Sequence, residues 1–303
     1  MKTAIYWFRN DLRLGDNPAF VRACKEVDCL LPVYIHQPNI DAETVWGFPR
    51  VSQNCKVFLE ESLHDLRNQL RLLGSDLLVL HGNPLEVFEK LRAQTDASMI
   101  YCEQIEAPEE LEQVTALTEA GFKLTIVWQS SMLDPQALPF ALQEMPDIFT
   151  QFRKQVEKQK LRFATPLDLP EKIPPLPAME IPSIPLSNEN TESSRNQFQG
   201  GERSALIHIQ QYFMRRLPDT YKQTRNQLIG MDYSSKFSPW LAIGSYSARS
   251  IAKQLTEYET CYGANDGTYW LWFELLWRDY FRFLHFKYGK RLYYSKGLSQ
   301  TSG

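Results

Sequence analysis

The sequence predicts a doubly wound α/β domain built on a parallel sheet, followed by an all-α region. Three observations carry this expectation. Short β-rich apolar runs recur as far as Trp128 with amphipathic stretches between them; a proline-rich segment then interrupts the pattern; and beyond Gly201 the apolar spacing is helical. TAIYWF (residues 3–8), LLPVYI (30–35), DLLVLHG (76–82), SMIYC (98–102) and KLTIVW (123–128) are rich in β-branched, aromatic and leucine residues in runs of strand length. VFLEESLHDLRNQLRLLG (57–74) and PLEVFEKLRAQ (84–94) space their apolar residues for helices. Strands alternating with helices favour parallel pairing, because a parallel neighbour is reached only through a crossover.

Pro166, Pro170, Pro174, Pro175, Pro177, Pro182 and Pro185, followed by the polar run SNENTESSRNQ, predict an extended connector. The helical patterns after it are GERSALIHIQQYFMRRL, PWLAIGSYSARSIAKQLTEYE and DGTYWLWFELLWRDYFRFLHFKYG. The expected division is residues 1–135 for the α/β domain, 136–200 for the connector and 201–303 for the helical region.

Composition is that of a folded globular chain, with 43% hydrophobic and 23% charged residues. The start MKTAIYWFRNDLRL lacks the apolar segment and cleavage site of a secretory signal, so a cytoplasmic location is expected. Cys24, Cys29, Cys55, Cys102 and Cys261 are scattered and form no CxxC pair, which argues against a disulfide framework or structural zinc. His36, His64, His81, His208 and His285 show no metal-ligand spacing; GxGxxG, GxxxxGK[ST] and GxSxG are absent. Net charge is -3, yet the chain after Gly201 is basic and rich in aromatics, which suits a polyanion or a phosphate-bearing cofactor. A membrane span over 268–286 is rejected, because Glu274, Arg278, Asp279 and Arg282 sit at its centre and Arg or Asp there costs roughly 2.5–3.5 kcal/mol each.

In that last segment Glu274, Trp277, Arg278 and Phe281 follow i, i+3, i+4, i+7 spacing and are expected on one helical face. One reading is a Glu-to-Arg ion pair beside core rings. The other is a ligand site, since charges on a helix apolar nearly all round need partners. In YSSKFSPWLAIGS, Ser238 before Pro239 predicts an N-cap, and Ser234, Ser235 and Lys236 add hydroxyls and a cation where free backbone N–H groups suit a phosphate; an ordinary capped helix is the alternative. In TYKQTRN, Tyr221 and Arg225 stand four apart on an expected helix.

Together, YWFRNDLRLGDNPAF, GGERSAL, TYKQTRN, DYSSKFSPWLAIGSYSAR and TYWLWFELLWRDYFRFLHFKYG resemble the photolyase/cryptochrome family, most closely its DASH-type cryptochromes, from about Ala4 to Lys290. The resemblance implies an α/β antenna domain and a helical FAD-binding domain. It implies light-driven repair of cyclobutane pyrimidine dimers, preferably in single-stranded DNA, by electron transfer from FAD, a deoxyribodipyrimidine photo-lyase reaction. It assigns Tyr221, Ser234, Ser235, Lys236, Phe237, Ser238, Leu271 and Arg278 to FAD. It assigns Arg225 to the DNA backbone, Glu274 and Trp277 to the lesion, and Arg278 and Phe281 to the DNA side. An antenna of 5,10-methenyltetrahydrofolate is expected, with Glu103, Glu106 or Glu109 as its carboxylate contact.

The family pattern continues beyond the motif ending at Gly289, so the resemblance also implies a truncated helical domain with an uncovered apolar face, weak flavin retention and self-association. Neither a metal nor a membrane is expected as a partner. A repair enzyme, a blue-light receptor without repair, and an inactive remnant remain the three functional readings.

Overall fold

The computed structural model describes residues 1–38, 42–178 and 198–298. Pro182, Pro185 and the whole polar run after them lie outside the described residues. Strands β1 (Thr3–Phe8), β2 (Cys29–His36), β3 (Leu78–His81), β4 (Met99–Glu103) and β5 (Lys123–Val127) form one parallel sheet in the order β3-β2-β1-β4-β5. The predicted fold class is observed, with each expected strand found to within two residues at either end. β1 and β2 are buried along nearly their whole length, whereas β5, at the edge, is not, so only the central strands read as continuous apolar runs.

The two faces of β1 divide by alternation. Tyr6 and Phe8 pack toward α1 (Pro18–Glu26) and α2 (Gln53–Leu72), while Ile5 and Trp7 pack toward α3 (Pro84–Thr95) and α4 (Pro108–Glu119). α1 and α3 each start at an Asn-Pro pair: Asn17 caps Phe20 N–H, Asn83 caps Leu85 N–H, and each following proline opens its helix.

The helical part consists of α5 (Phe149–Lys158), α6 (Glu202–Met214), α7 (Tyr221–Thr224), α8 (Ser238–Ala242), α9 (Ala248–Tyr262) and α10 (Asp266–Tyr288). α5 falls inside the span expected to be connector, and Phe149, Phe152 and Val156 bury into the same core as α6, α9 and α10. Residues 165–178 form neither helix nor strand. They run over the α/β layer, where Ile173 enters the core and Leu30 N–H donates to Pro175 C=O at 3.1 Å.

The loop after β1 joins the two layers. Asp16, 1% exposed, accepts from Arg249 Nε at 2.8 Å, Ser247 Oγ at 2.5 Å and Leu167 N–H at 3.0 Å. Arg13 Nη1 donates to Gly244 C=O at 2.9 Å, Leu12 N–H to Ile243 C=O at 3.2 Å, and Glu202 accepts from the N–H groups of Leu14 and Gly15, both at 2.9 Å. Asp11, fully buried behind it, is held by Tyr6 Oη at 2.5 Å and Gln129 Nε2 at 3.0 Å.

Gly244 makes this approach possible. Its φ is +68°, and a Cβ there would lie 1.9 Å from Asn10 C=O. Gly244→Ala is therefore expected to destabilise the protein by about 2 kcal/mol or more, combining left-handed strain with a backbone clash. Denaturant unfolding measures this, and a midpoint equal to wild type would contradict it.

Candidate functional site

A cavity of about 550 Å³ opens where the C-terminal edge of the sheet meets α10. Asn10 follows β1 and Ile105 follows β4, the neighbouring strands at which the connection direction reverses, the place where open parallel sheets bind ligands. The opposite wall comes from Ser235, Phe237, Ser238 and Leu241 around α8. α10 supplies Leu271, Glu274, Leu275, Arg278, Phe281, Arg282 and His285, a stripe spaced by three and four residues. α10 begins in a capping box, with Asn265 accepting from Thr268 N–H and the Thr268 hydroxyl accepting from Asn265 N–H.

The charges amid the rings of α10 have distinct partners. Asp279, fully buried, accepts the N–H groups of Met132 at 2.9 Å and Leu133 at 2.7 Å, tying the loop after β5 to the helix. Arg278 donates to Ser130 C=O and, at 3.3 Å, to Leu241 C=O, so its guanidinium spans the same loop and the end of α8. Burial, with Arg282 nearby as a second cause, pulls the Arg278 pKa down to about 9. Glu274 pairs with Arg225, which follows α7 and whose guanidinium lies 4.3 Å over the Trp270 ring. The expected i,i+4 ion pair is not the one formed: Glu274 pairs with Arg225 from another element and lines the cavity, whereas Arg278 is held by backbone carbonyls.

Ser235, Phe237, Ser238, Leu271, Glu274, Arg278 and Phe281, all singled out in the sequence, share the cavity wall with Glu106. Tyr221, Ser234, Arg225, Lys236 and Trp277 are not part of it. Tyr221 is buried in the helical core, and Lys236 stands 3.5 Å over the Tyr233 ring at φ +54°. The expectation that Glu274, Trp277, Arg278 and Phe281 form one face needs correction. Consecutive helical residues diverge by about 100°, so Trp277 turns off the cavity stripe and stacks on Phe149 of α5, with ring centroids 3.5 Å apart. The expected cap at Ser238 also shifts: Phe237 occupies that position without a side-chain cap, and Ser238 is the first residue of a five-residue helix. So short a helix has little macrodipole, leaving hydroxyls and loop N–H groups as the polar features for an anion.

The three candidate antenna glutamates occupy different settings. Glu103 is 2% exposed at the end of β4, with Oε2 lacking a hydrogen-bond partner. Glu106 accepts from Gln104 at 2.6 Å on the main cavity wall, and Glu109 pairs with Arg50 at 2.6 Å beside a second cavity of about 180 Å³. Sequence reasoning missed Arg282 and Asn10 as site residues, whose only signal was their position inside recognised motifs. Among the described residues, no helix is long and apolar enough to cross a membrane and no His/Cys/Asp/Glu group is placed to hold a metal.

The family model of DNA photolyase matches residues 4–178, more than half of the chain. The chain belongs to the DNA photolyase family. Among its relatives are the cryptochromes DASH of Gloeobacter violaceus, 42% identical over 98% of this chain and 62% of that protein, and of Synechocystis, 39% identical over 98% and 63%. The solved Synechocystis cryptochrome superposes with a TM-score of 0.91 at 38% identity, covering 98% of this photolyase-family chain and 64% of that one. A bacterial class III photolyase from Agrobacterium tumefaciens shares the fold, with a TM-score of 0.79 at 22% identity over 96% of this chain and 61% of its own. The chain thus spans about three fifths of the length of these relatives.

Burial raises the pKa of several carboxyls, among them Asp279 from 3.8 to about 6, Glu202 from 4.5 to about 7, and Glu103 from 4.5 to about 8. In each case the folded state holds the proton more tightly than the unfolded chain. Their contribution is therefore most favourable below the ordinary value and is lost as pH rises through the raised one. For Glu103 that window is pH 4.5 to 8. Glu103→Gln is expected to raise the thermal midpoint at pH 8.5 by about 5 °C and to flatten its fall above pH 7. A wild-type midpoint that climbs over that window, or a variant less stable at pH 8.5, would contradict the assignment.

Proposed function

We propose that this chain forms the antenna domain and the first part of the FAD-binding domain of a cytoplasmic DASH-type flavoprotein. In this reading it serves light-driven repair of cyclobutane pyrimidine dimers, preferably in single-stranded DNA. The observation that carries the reading is the convergence of Ser235, Ser238, Leu271, Glu274, Arg278 and Phe281 on one cavity at the topological switch edge. Its volume suits a small-molecule cofactor, and Phe237, Leu241, Leu271 and Leu275 give the apolar walls that a flat ring system requires.

FAD, when bound, supplies light-driven electron chemistry that amino-acid side chains lack. The chain's own residues bind and orient. Ser235 and Ser238 offer hydroxyls to a diphosphate, with Ser234 and Lys236 beside them; Phe237 and Leu271 shape the apolar side, and Tyr221, buried in the helical core off the cavity wall, is kept as a cofactor contact on the family motif alone. Arg278, its guanidinium fixed by two backbone carbonyls, keeps a positive charge between cofactor and nucleic acid. Arg225 contacts a strand phosphate, Glu274 accepts a hydrogen bond from an extruded pyrimidine, and Phe281, 56% exposed, with the adjacent Trp277 ring offers a stacking surface. A single-stranded lesion lowers the extrusion cost, because fewer base stacks are broken. The antenna is assigned to a methenyltetrahydrofolate, with Glu109 favoured as its contact because it stands beside the second cavity with Arg50.

The test is dimer loss from a single-stranded oligonucleotide mixed with flavin-loaded protein. Dimers are expected to disappear in blue light and persist in darkness. Glu274→Ala should lower the yield about tenfold or more, the worth of a hydrogen bond to a charged group. Persistent dimers in an illuminated, flavin-loaded sample would reject repair and favour a light receptor.

A further inference from the structure

We infer that Arg225 guards Glu274: without nucleic acid the guanidinium holds this carboxylate on the cavity wall, and a strand phosphate that captures the guanidinium frees the carboxylate to accept from a ligand in the cavity. The inference rests on the functional reading above and adds a coupling between backbone binding and site opening.

Three observations support it. First, the pair bridges separate elements, with Arg225 just after the short α7 and Glu274 on the cavity stripe of α10, so a change of partner by Arg225 alters the cavity wall. Second, both side chains reach solvent, at 25% and 37% exposure, where an ion pair is weak enough to exchange partners. Third, a guanidinium binds carboxylate and phosphate through the same planar fork of N–H donors, so the two anions compete for one group. Trp270 beneath the guanidinium keeps it at the rim during the exchange, since its ring face attracts the cation whichever anion is bound. Neighbouring Lys222 and Lys236 do not take over, because Lys222 is paired with Asp266 at 2.7 Å and Lys236 lies over Tyr233. Among the described residues, Arg225 is the only cation paired with Glu274.

Competition makes a counterintuitive demand. Glu274, although assigned to the nucleic-acid side of the site, should weaken the binding of undamaged strand, because its charge occupies the phosphate-binding group. The probe is a fluorescein-labelled oligothymidylate without lesions, titrated in darkness at constant salt by anisotropy. Glu274→Gln is expected to tighten binding about two- to fivefold, the range set by a solvent-exposed ion pair. Arg225→Ala should weaken binding, and adding Glu274→Gln to it should restore nothing. Glu257→Gln, which removes an exposed carboxylate on α9 that faces Lys253 and lies off the cavity wall, should leave binding unchanged and so controls for net charge.

Far-UV circular dichroism accompanies each variant, with Arg225→Gln replacing Arg225→Ala should the alanine chain not fold. Unchanged or weaker binding by Glu274→Gln, or a gain that persists without Arg225, overturns the inference while leaving the functional reading intact. An oligothymidylate that binds no form of the protein overturns both.

Discussion

Asp16 sits fully enclosed between a sheet loop and a helical layer, and a carboxylate so placed is tolerable only with its partners in position. Arg249, Ser247 and Leu167 N–H provide them, drawn from α9 and its start on one side and from the proline-rich segment on the other. Removing one partner of such a buried pair costs about 3–5 kcal/mol, because the remaining charge is stranded. Glu202 repeats the device from the helical side with two backbone N–H groups, and Asp279 repeats it at the loop after β5. The layers are therefore held by oriented polar contacts that fix their register, whereas apolar contact alone would allow sliding.

The cavity is a consequence of that register. Its sheet wall is carried by the loops after β1 and β4, and its helical wall by α8 and one stripe of α10, so neither layer encloses the site alone. Arg278 and Asp279, adjacent in sequence, point to different parts of this junction: Asp279 anchors the loop from below while Arg278 spans its carbonyl and that of Leu241 beside the cavity. Holding Arg278 by two carbonyls costs the guanidinium part of its hydration but fixes its orientation. An oriented charge in a partly dry site acts on a bound ligand without reorganising.

Much of this was legible in the sequence. β1 and β2 announced themselves because both faces are buried, and α3 by its apolar spacing; α1, though it opens at Asn17-Pro18, was not read as a helix. Of the residues picked from sequence, Leu271, Glu274, Arg278 and Phe281 share one wall because spacing by three and four on α10 guides to a face, while Ser235, Phe237 and Ser238 line the cavity from around α8. Trp277 was misassigned because the i+3 spacing tolerates two neighbouring stripes, and only the position of α5 decides that its ring meets Phe149. α5 itself was missed although Phe149, Phe152 and Val156 follow i, i+3, i+7 spacing, because the helix lies between two irregular stretches and no capping side chain marks its start. The roles of Asp11, Asp16 and Glu202 were illegible for a deeper reason: each has a partner more than a hundred residues away, at Gln129, Arg249 or in the opposite direction at Leu14. Local pattern carries no information about such pairings.

If buried carboxylates hold the layers in register, the layers must open together. Native-state hydrogen exchange measures this directly at the amides that cross the junction: Leu12, Leu14, Gly15, Met132 and Leu133. The account predicts that these amides exchange with the same opening free energy as the central amides of α10, and that Asp16→Asn lowers all of them together. Fast exchange at the junction amides beside a well-protected α10 and sheet would show two layers opening independently and would contradict it.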